Sequence, residues 1–177
     1  NTAKIILLAF ALMAITSACQ KSEETVTPEF YKWTWTAGSD TVNQGGTYGT
    51  MGTPSSSNVP GAREDALTWA DSSDKLWLFG GYGYDSTGYP GRMNDLWKFD
   101  PATLAWTWVS GSKVRNQGGS YGTLGVAGPS NVPGARNGAI SWTGPDGVFW
   151  LFGGLALDAT GSIGQTNDLW KFDPTTV

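Results

Sequence analysis

Residues 76–108 read LWLFGGYGYDSTGYPGRMNDLWKFDPATLAWTW. Three short apolar and aromatic runs stand here, separated by turn residues. LWLFGG comes first, then NDLWKFDP after a Gly/Tyr segment, then LAWTW. This is the pattern of consecutive antiparallel strands. Beyond the N-terminal leader no window carries a 3.6-residue apolar period, so the chain reads as all-β.

The stretch belongs to a repeat, and internal repeats decide an architecture before anything else does. Trp33-Thr34-Trp35 returns as Trp106-Thr107-Trp108, and Asn43-Gln44-Gly45-Gly46 as Asn116-Gln117-Gly118-Gly119. SNVPGAR at 57–63 returns at 130–136, WLFGG at Trp77 returns at Trp150, and NDLWKFDP at 94–101 returns at 167–174. Every copy lies 73 residues on, and 33–104 matches 106–177 at about 40 of 72 positions. Each repeat reads as four strands. Strand a spans Arg63–Trp69 and Arg136–Trp142. Strand b spans Lys75–Phe79 and Val148–Phe152. Strand c spans Asp95–Phe99 and Asp168–Phe172, each closed by Asp-Pro, since proline cannot donate to a ladder. Strand d spans Trp106–Val109, with an earlier copy at Tyr31–Thr36.

Pro-Gly-Ala-Arg, a strand ending in Gly-Gly, then Asn-Asp-Leu-Trp-Lys-Phe-Asp-Pro and a Trp strand resemble kelch repeats. Galactose oxidase's central domain and many bacterial surface lipoproteins carry this type. The resemblance covers about residues 30–177. It implies antiparallel four-stranded blades of a β-propeller, here the material of about two blades. Propellers close with about 4–8 blades, so the expectation is a fragment of a longer propeller, or else a short chain assembling with copies of itself. The 73-residue period exceeds the usual kelch period of about 50. The excess lies in the d–a segments 38–60 and 111–133 and the b–c segments 82–93 and 155–166. In a meander both classes fall at one end, where binding residues concentrate.

Composition excludes several functions. Net charge is −4 with no basic cluster, so a nucleic-acid footprint is missing. There is no histidine, which removes the commonest general base and transition-metal ligand. The copper radical site of galactose oxidase depends on histidine and a tyrosine–cysteine link, so that activity is not carried over. No Ser/His/Asp or Cys/His set exists, two isolated Asp turns do not supply the 6–8 oxygens of a calcium site, and no cofactor is implied.

Lys4, an apolar run Ile5–Ile15 and then Thr16-Ser17-Ala18-Cys19 follow the secretory signal pattern. The sole cysteine, Cys19, sits where bacterial lipoproteins carry their lipidated residue. Thr16 stands where that family favours leucine. Lipidation of Cys19 implies an exported protein held on the outer membrane or cell surface, with acyl chains contributing about 0.8 kcal/mol per buried CH₂. Residues 20–29 read as a polar linker, leaving 30–177 as the repeat domain.

The candidate ligand-binding residues stand in the long loops. They are Asn43, Gln44, Tyr48, Tyr82, Tyr84, Tyr89, Asn116, Gln117 and Tyr121. Exposed tyrosines stack on sugar rings or meet a protein; the alternative is that they pack their own loops. Arg63 and Arg136 either pair with an Asp such as Asp95 or Asp168 or face an anionic ligand. Gly80-Gly81 and Gly153-Gly154 permit close backbone approach. Asn94, Asp95, Trp97, Asn167, Asp168 and Trp170 complete the structural motif, and tryptophans on strands (Trp35, Trp77, Trp97, Trp108, Trp150, Trp170) are expected in the core. The functional expectation is a non-enzymatic, membrane-tethered module binding a glycan or protein. The rival readings are part of a propeller hydrolase, lyase or epimerase, and a structural adhesin or spacer.

Overall fold

The computed structural model describes residues 32–177. The signal with Cys19 and the linker 20–29 lie outside the described residues. Residues 36–177 form one compact unit. In the first repeat the strands are β1 (Arg63–Glu64), β2 (Leu67–Ala70), β3 (Leu76–Phe79), β4 (Tyr82–Tyr84), β5 (Pro90–Arg92), β6 (Leu96–Asp100) and β7 (Ala105–Ser110). The second holds β8 (Arg136–Asn137), β9 (Ile140–Thr143), β10 (Phe149–Leu157) and β11 (Ile163–Phe172). The described chain is all-β; its only helical element is a 3₁₀ turn at Pro174–Thr176.

The first main sheet is an antiparallel meander in the order β2-β3-β6-β7. Trp69 lies opposite Trp77, Trp77 opposite Lys98, and Trp97 opposite Trp108. The second runs β9-β10-β11, with β8 pairing the far end of β10. These successive meanders are consistent with a propeller fragment.

Alternation along the strands builds the core. Leu67, Trp69, Trp77, Phe79 and Leu96 of the first sheet pack against Phe149 and Leu151 of the second. Trp69 stacks on Phe149 with centroids 5.3 Å apart, and its Nε1–H donates to Trp142 O at 3.3 Å. A second cluster on the other face of the first sheet joins Tyr48, Met93 and Trp97 to Trp106 and Trp108. Each fully buried large apolar side chain contributes about 2–3 kcal/mol.

The structure departs from the sequence expectation at four places. Strand a breaks after Glu64, where Asp65 takes φ 51°, and resumes at Leu67. The b–c segment is not a loop: β4 and β5 pair as a hairpin, Tyr82 opposite Arg92, and β1 joins them in a small sheet. In the second repeat the same extension is continuous with β10 and β11. The expected early copy of strand d is not a strand in its described part, 32–36, and Trp35 is exposed rather than in the core. Its later copy, β7, is a strand and pairs with β6. Finally, the d–a segment does not stand wholly at one end. Its middle runs back along β7, where Gly52 N–H donates to Trp108 O at 2.8 Å and Ser55 N–H to Trp106 O at 3.1 Å. That seals the outer edge of the sheet, an edge otherwise prone to unwanted pairing.

Candidate functional site

Asp95 opens the run that becomes β6, and its carboxylate is fully buried. Arg63 meets it in a fork, Nη1 to Oδ1 at 2.7 Å and Nη2 to Oδ2 at 2.9 Å. Arg63 Nε donates to Gly61 O and Nη1 to Gly80 O. Tyr48 OH and Trp97 Nε1 each donate to Asp95 Oδ2 at 2.6 Å. A buried charge is tolerable only when paired and hydrogen-bonded in this way. Burial, then the Asp95 charge and hydrogen bond, push the Tyr48 hydroxyl far above its ordinary value.

The second repeat rebuilds the node. Arg136 meets Asp168 at 2.9 and 2.7 Å, Tyr121 OH donates to Asp168 Oδ2 at 2.8 Å, and Trp170 Nε1 does so at 2.6 Å. Burial alone would raise the Asp168 carboxyl. Hydrogen bonds from Arg136 and Trp170 and the charge of Arg136 outweigh it and hold the group well below the usual carboxylate range. Of the two roles weighed for Arg63 and Arg136, the carboxylate pairing is the one formed. Tyr48 is corrected from a surface candidate to a core residue, 4% exposed, its hydroxyl committed to Asp95. Tyr121 is 37% exposed, with its hydroxyl committed likewise.

The Asn-Gln-Gly-Gly segments also do structural work. Asn116 N–H donates to Arg92 O at 2.7 Å and its Oδ1 accepts from Arg92 N–H at 3.0 Å, locking the second repeat to the hairpin of the first. Gln117 O and Gln44 O accept from Ala135 and Ala62. Asn43 has φ 63° and is exposed. Buried Asn94 accepts from Ser112 N–H at 3.1 Å, whereas Asn167 is exposed at the edge of β11. Gly81 (φ 93°) lies where a Cβ would stand 2.6 Å from Glu64 O; Gly154 (φ 96°) repeats the geometry against Asn137 O, and Gly80 and Gly153 also take positive φ.

The β4–β5 hairpin also presents exposed side chains. Tyr82 is 37% exposed and Tyr89 61%, while Tyr84 is half-buried. The Arg92 guanidinium lies 5.7 Å from the centre of the Tyr82 ring, and that of Arg115 lies 5.1 Å from Tyr89. Asp85 fixes the tip. Its Oδ1 accepts from Thr87 N–H, Thr87 Oγ1–H and Tyr89 N–H, and its Oδ2 from Arg115 Nη1 at 3.1 Å. Burial would raise this carboxyl, but the Thr87 hydroxyl and the backbone N–H groups of Thr87, Arg115 and Tyr89 hold it far below its ordinary range. Two tyrosine–arginine pairs therefore meet at one hairpin, Arg115 reaching it from the segment after β7. Planar rings beside guanidinium groups suit stacking and charge-assisted hydrogen bonding to a ligand. Arg92 and Arg115 escaped sequence reading. Their signal is that the copies differ just here, with Gln165 and Val42 at the matching positions.

A shallow depression of about 490 Å³ lies on the second sheet, lined by residues including Asn137, Ile140, Phe152, Leu155 and Gln165. It gathers no set of acids or bases. Among the described residues no group of three or more His, Cys, Asp or Glu is placed to hold a metal.

No family model matches the chain, and no curated protein matches it. Among solved structures the fold is similar to one titled "Structure of YjhT", at 20% sequence identity and a TM-score of 0.47. The likeness covers 67% of this chain, and the chain spans 37% of that one.

Proposed function

We propose that the chain is an exported, lipid-anchored binding module that recognises a glycan or a protein through the β4–β5 hairpin end. The observation that carries this is the pairing of exposed Tyr82 and Tyr89 with Arg92 and Arg115 on a hairpin pinned by Asp85. Binding residues work best when a rigid scaffold holds them ready, because little ordering cost remains. The kelch resemblance and the Cys19 lipid motif support the module and its address. A saccharide suits the surface best, since an exposed tyrosine offers a face for a sugar ring and arginine offers donors to its oxygens.

The test is a glycan array read beside a pull-down with surface proteins, using the full chain and a Tyr82→Ala/Tyr89→Ala variant. Loss of binding at an unchanged melting temperature is expected. Undiminished binding by the variant would reject this site. Mass spectrometry showing an unacylated Cys19 in the membrane fraction would remove the anchor.

A further inference from the structure

The sequence holds four arginines. Three of them meet a carboxylate: Arg63 pairs with Asp95, Arg115 with Asp85 and Arg136 with Asp168. Arg92 pairs with no carboxylate among the described residues. Its guanidinium lies over Tyr82, 5.7 Å from the ring centre. Its Nε is buried and meets no acceptor among the described residues, a cost that packing alone gives no reason to bear.

Arg92 stands at the end of a row. In the small three-stranded sheet β4 is the middle strand. Glu64 of β1 lies opposite Tyr82, and Tyr82 lies opposite Arg92 of β5. Residues directly opposite share a face, so an acid, a ring and a base stand side by side. Glu64 is exposed, Tyr82 is 37% exposed and Arg92 is half-buried. They keep that exposure with the second repeat docked beside them. Gly81 N–H donates to Arg136 O at 2.8 Å, Arg136 N–H donates to Met93 O at 2.9 Å, and Asn116 clasps the Arg92 backbone. The matching row of the second repeat sets Asn137 opposite Leu155 and Leu155 opposite Gln165. There the ladder is the same while acid, ring and base are all replaced, so the strands themselves require none of the three.

We infer that the Glu64–Tyr82–Arg92 row binds a uronic acid residue of an acidic polysaccharide, an assignment that rests on the hairpin being a glycan site and names its sugar class. Neighbouring strands stand about 4.8 Å apart, which sets the backbones of Glu64 and Arg92 about 10 Å apart. A hydrogen bond at each end leaves room between them for one sugar ring. The sugar's apolar face packs on the exposed part of the Tyr82 ring. Its carboxylate accepts parallel N–H bonds from the Arg92 guanidinium, a planar match that the amide at Gln165 does not offer. On the far side of the sugar, ring hydroxyls donate to the Glu64 carboxylate. Glu64 also repels the sugar's own carboxylate, so the reversed orientation is disfavoured.

The probe is an oligogalacturonate titrated into the full chain by calorimetry, with its neutral methyl ester as the paired ligand. Arg92→Gln is the test variant. It installs the residue that the second repeat carries at the same ladder position, so an unchanged melting temperature is expected. The unaltered chain should bind the acid saturably, and more weakly as salt rises. Binding should fall at least about tenfold for the ester, and by as much for the acid in Arg92→Gln, the scale of a lost charge-assisted hydrogen bond. Equal affinity for acid and ester, or undiminished acid binding by Arg92→Gln, would overturn the uronate assignment; loss of both ligands in Tyr82→Ala would then leave the hairpin reading in place. Tighter binding of a sulfated galactan would overturn the choice of carboxylate. No binding of either galacturonate ligand would overturn the assignment too, and the hairpin reading would fall with it only if the glycan array were also blank.

Discussion

The Tyr48 hydroxyl donates a 2.6 Å hydrogen bond to Asp95 Oδ2, tying a long connecting segment to a residue 47 positions later. The bond sits inside an Arg63–Asp95 pair whose side chains are 6% and 0% exposed. Removing one donor from a buried carboxylate costs about 1.5–3 kcal/mol. Tyr48→Phe keeps the ring packing against Trp97 and Trp108 and deletes only that donor. We expect its unfolding free energy, read from urea titration, to fall by this amount. Tyr121→Phe should cost less, because Asp168 is 15% exposed and water replaces the lost donor. Equal losses at the two sites would show that burial does not set the difference.

That same bond shows why the sequence reading went only part of the way. The strands Leu76–Phe79 and Leu96–Asp100 were legible because an apolar run closed by Gly-Gly or Asp-Pro is a local signal. Tyr48 lies in a polar, glycine-rich segment that looks like a surface loop, and its partner is far away in sequence. The β4–β5 hairpin was hidden for another reason. Gly83 and Gly91 oppose each other in its ladder, and a glycine pair reads as loop. There the glycines serve packing: a Cβ on Gly91 would come within 2.5 Å of the Arg115 side chain. Tertiary contact, which local pattern does not carry, demanded the small residue. The Arg63–Asp95 pair was legible only as one of two roles for the arginine, an Asp partner or an anionic ligand, and its recurrence as Arg136–Asp168 at the same 32-residue spacing is what the structure adds.

Stability should also depend on pH on the acid side. Asp85 and Asp168 are both held below their ordinary range in the folded state. Carboxyls in the unfolded chain titrate near pH 4. Above that value the folded state keeps the full benefit of both groups. Below it the unfolded chain binds more protons than the folded one, so stability falls as pH drops. We expect urea midpoints that are flat near neutrality and decline steadily below about pH 4. Asp85→Asn should start from a lower plateau and show a shallower acid slope. A variant whose slope matches the parent would remove Asp85 from the account.

The hairpin also depends on how closely its base approaches β1. Gly81 and Gly88 both take positive φ, 93° and 80°, so alanine at either is strained by about 1–2 kcal/mol. Their surroundings differ. A Cβ at Gly81 meets Glu64 O at 2.6 Å and the Ala66 Cβ at 3.0 Å, whereas a Cβ at Gly88 meets nothing within 4 Å. Backbone on one side of the contact cannot turn aside as a side chain does. Gly88→Ala should therefore lose only the conformational strain. Gly81→Ala should lose that strain and also disturb the Glu64–Tyr82 pairing, with faster amide exchange in β1 and β4. Two alanine variants with the same urea midpoint would mean that strand a moves freely away from the kink, and the hairpin would then not be the fixed platform on which Tyr82 and Arg92 stand.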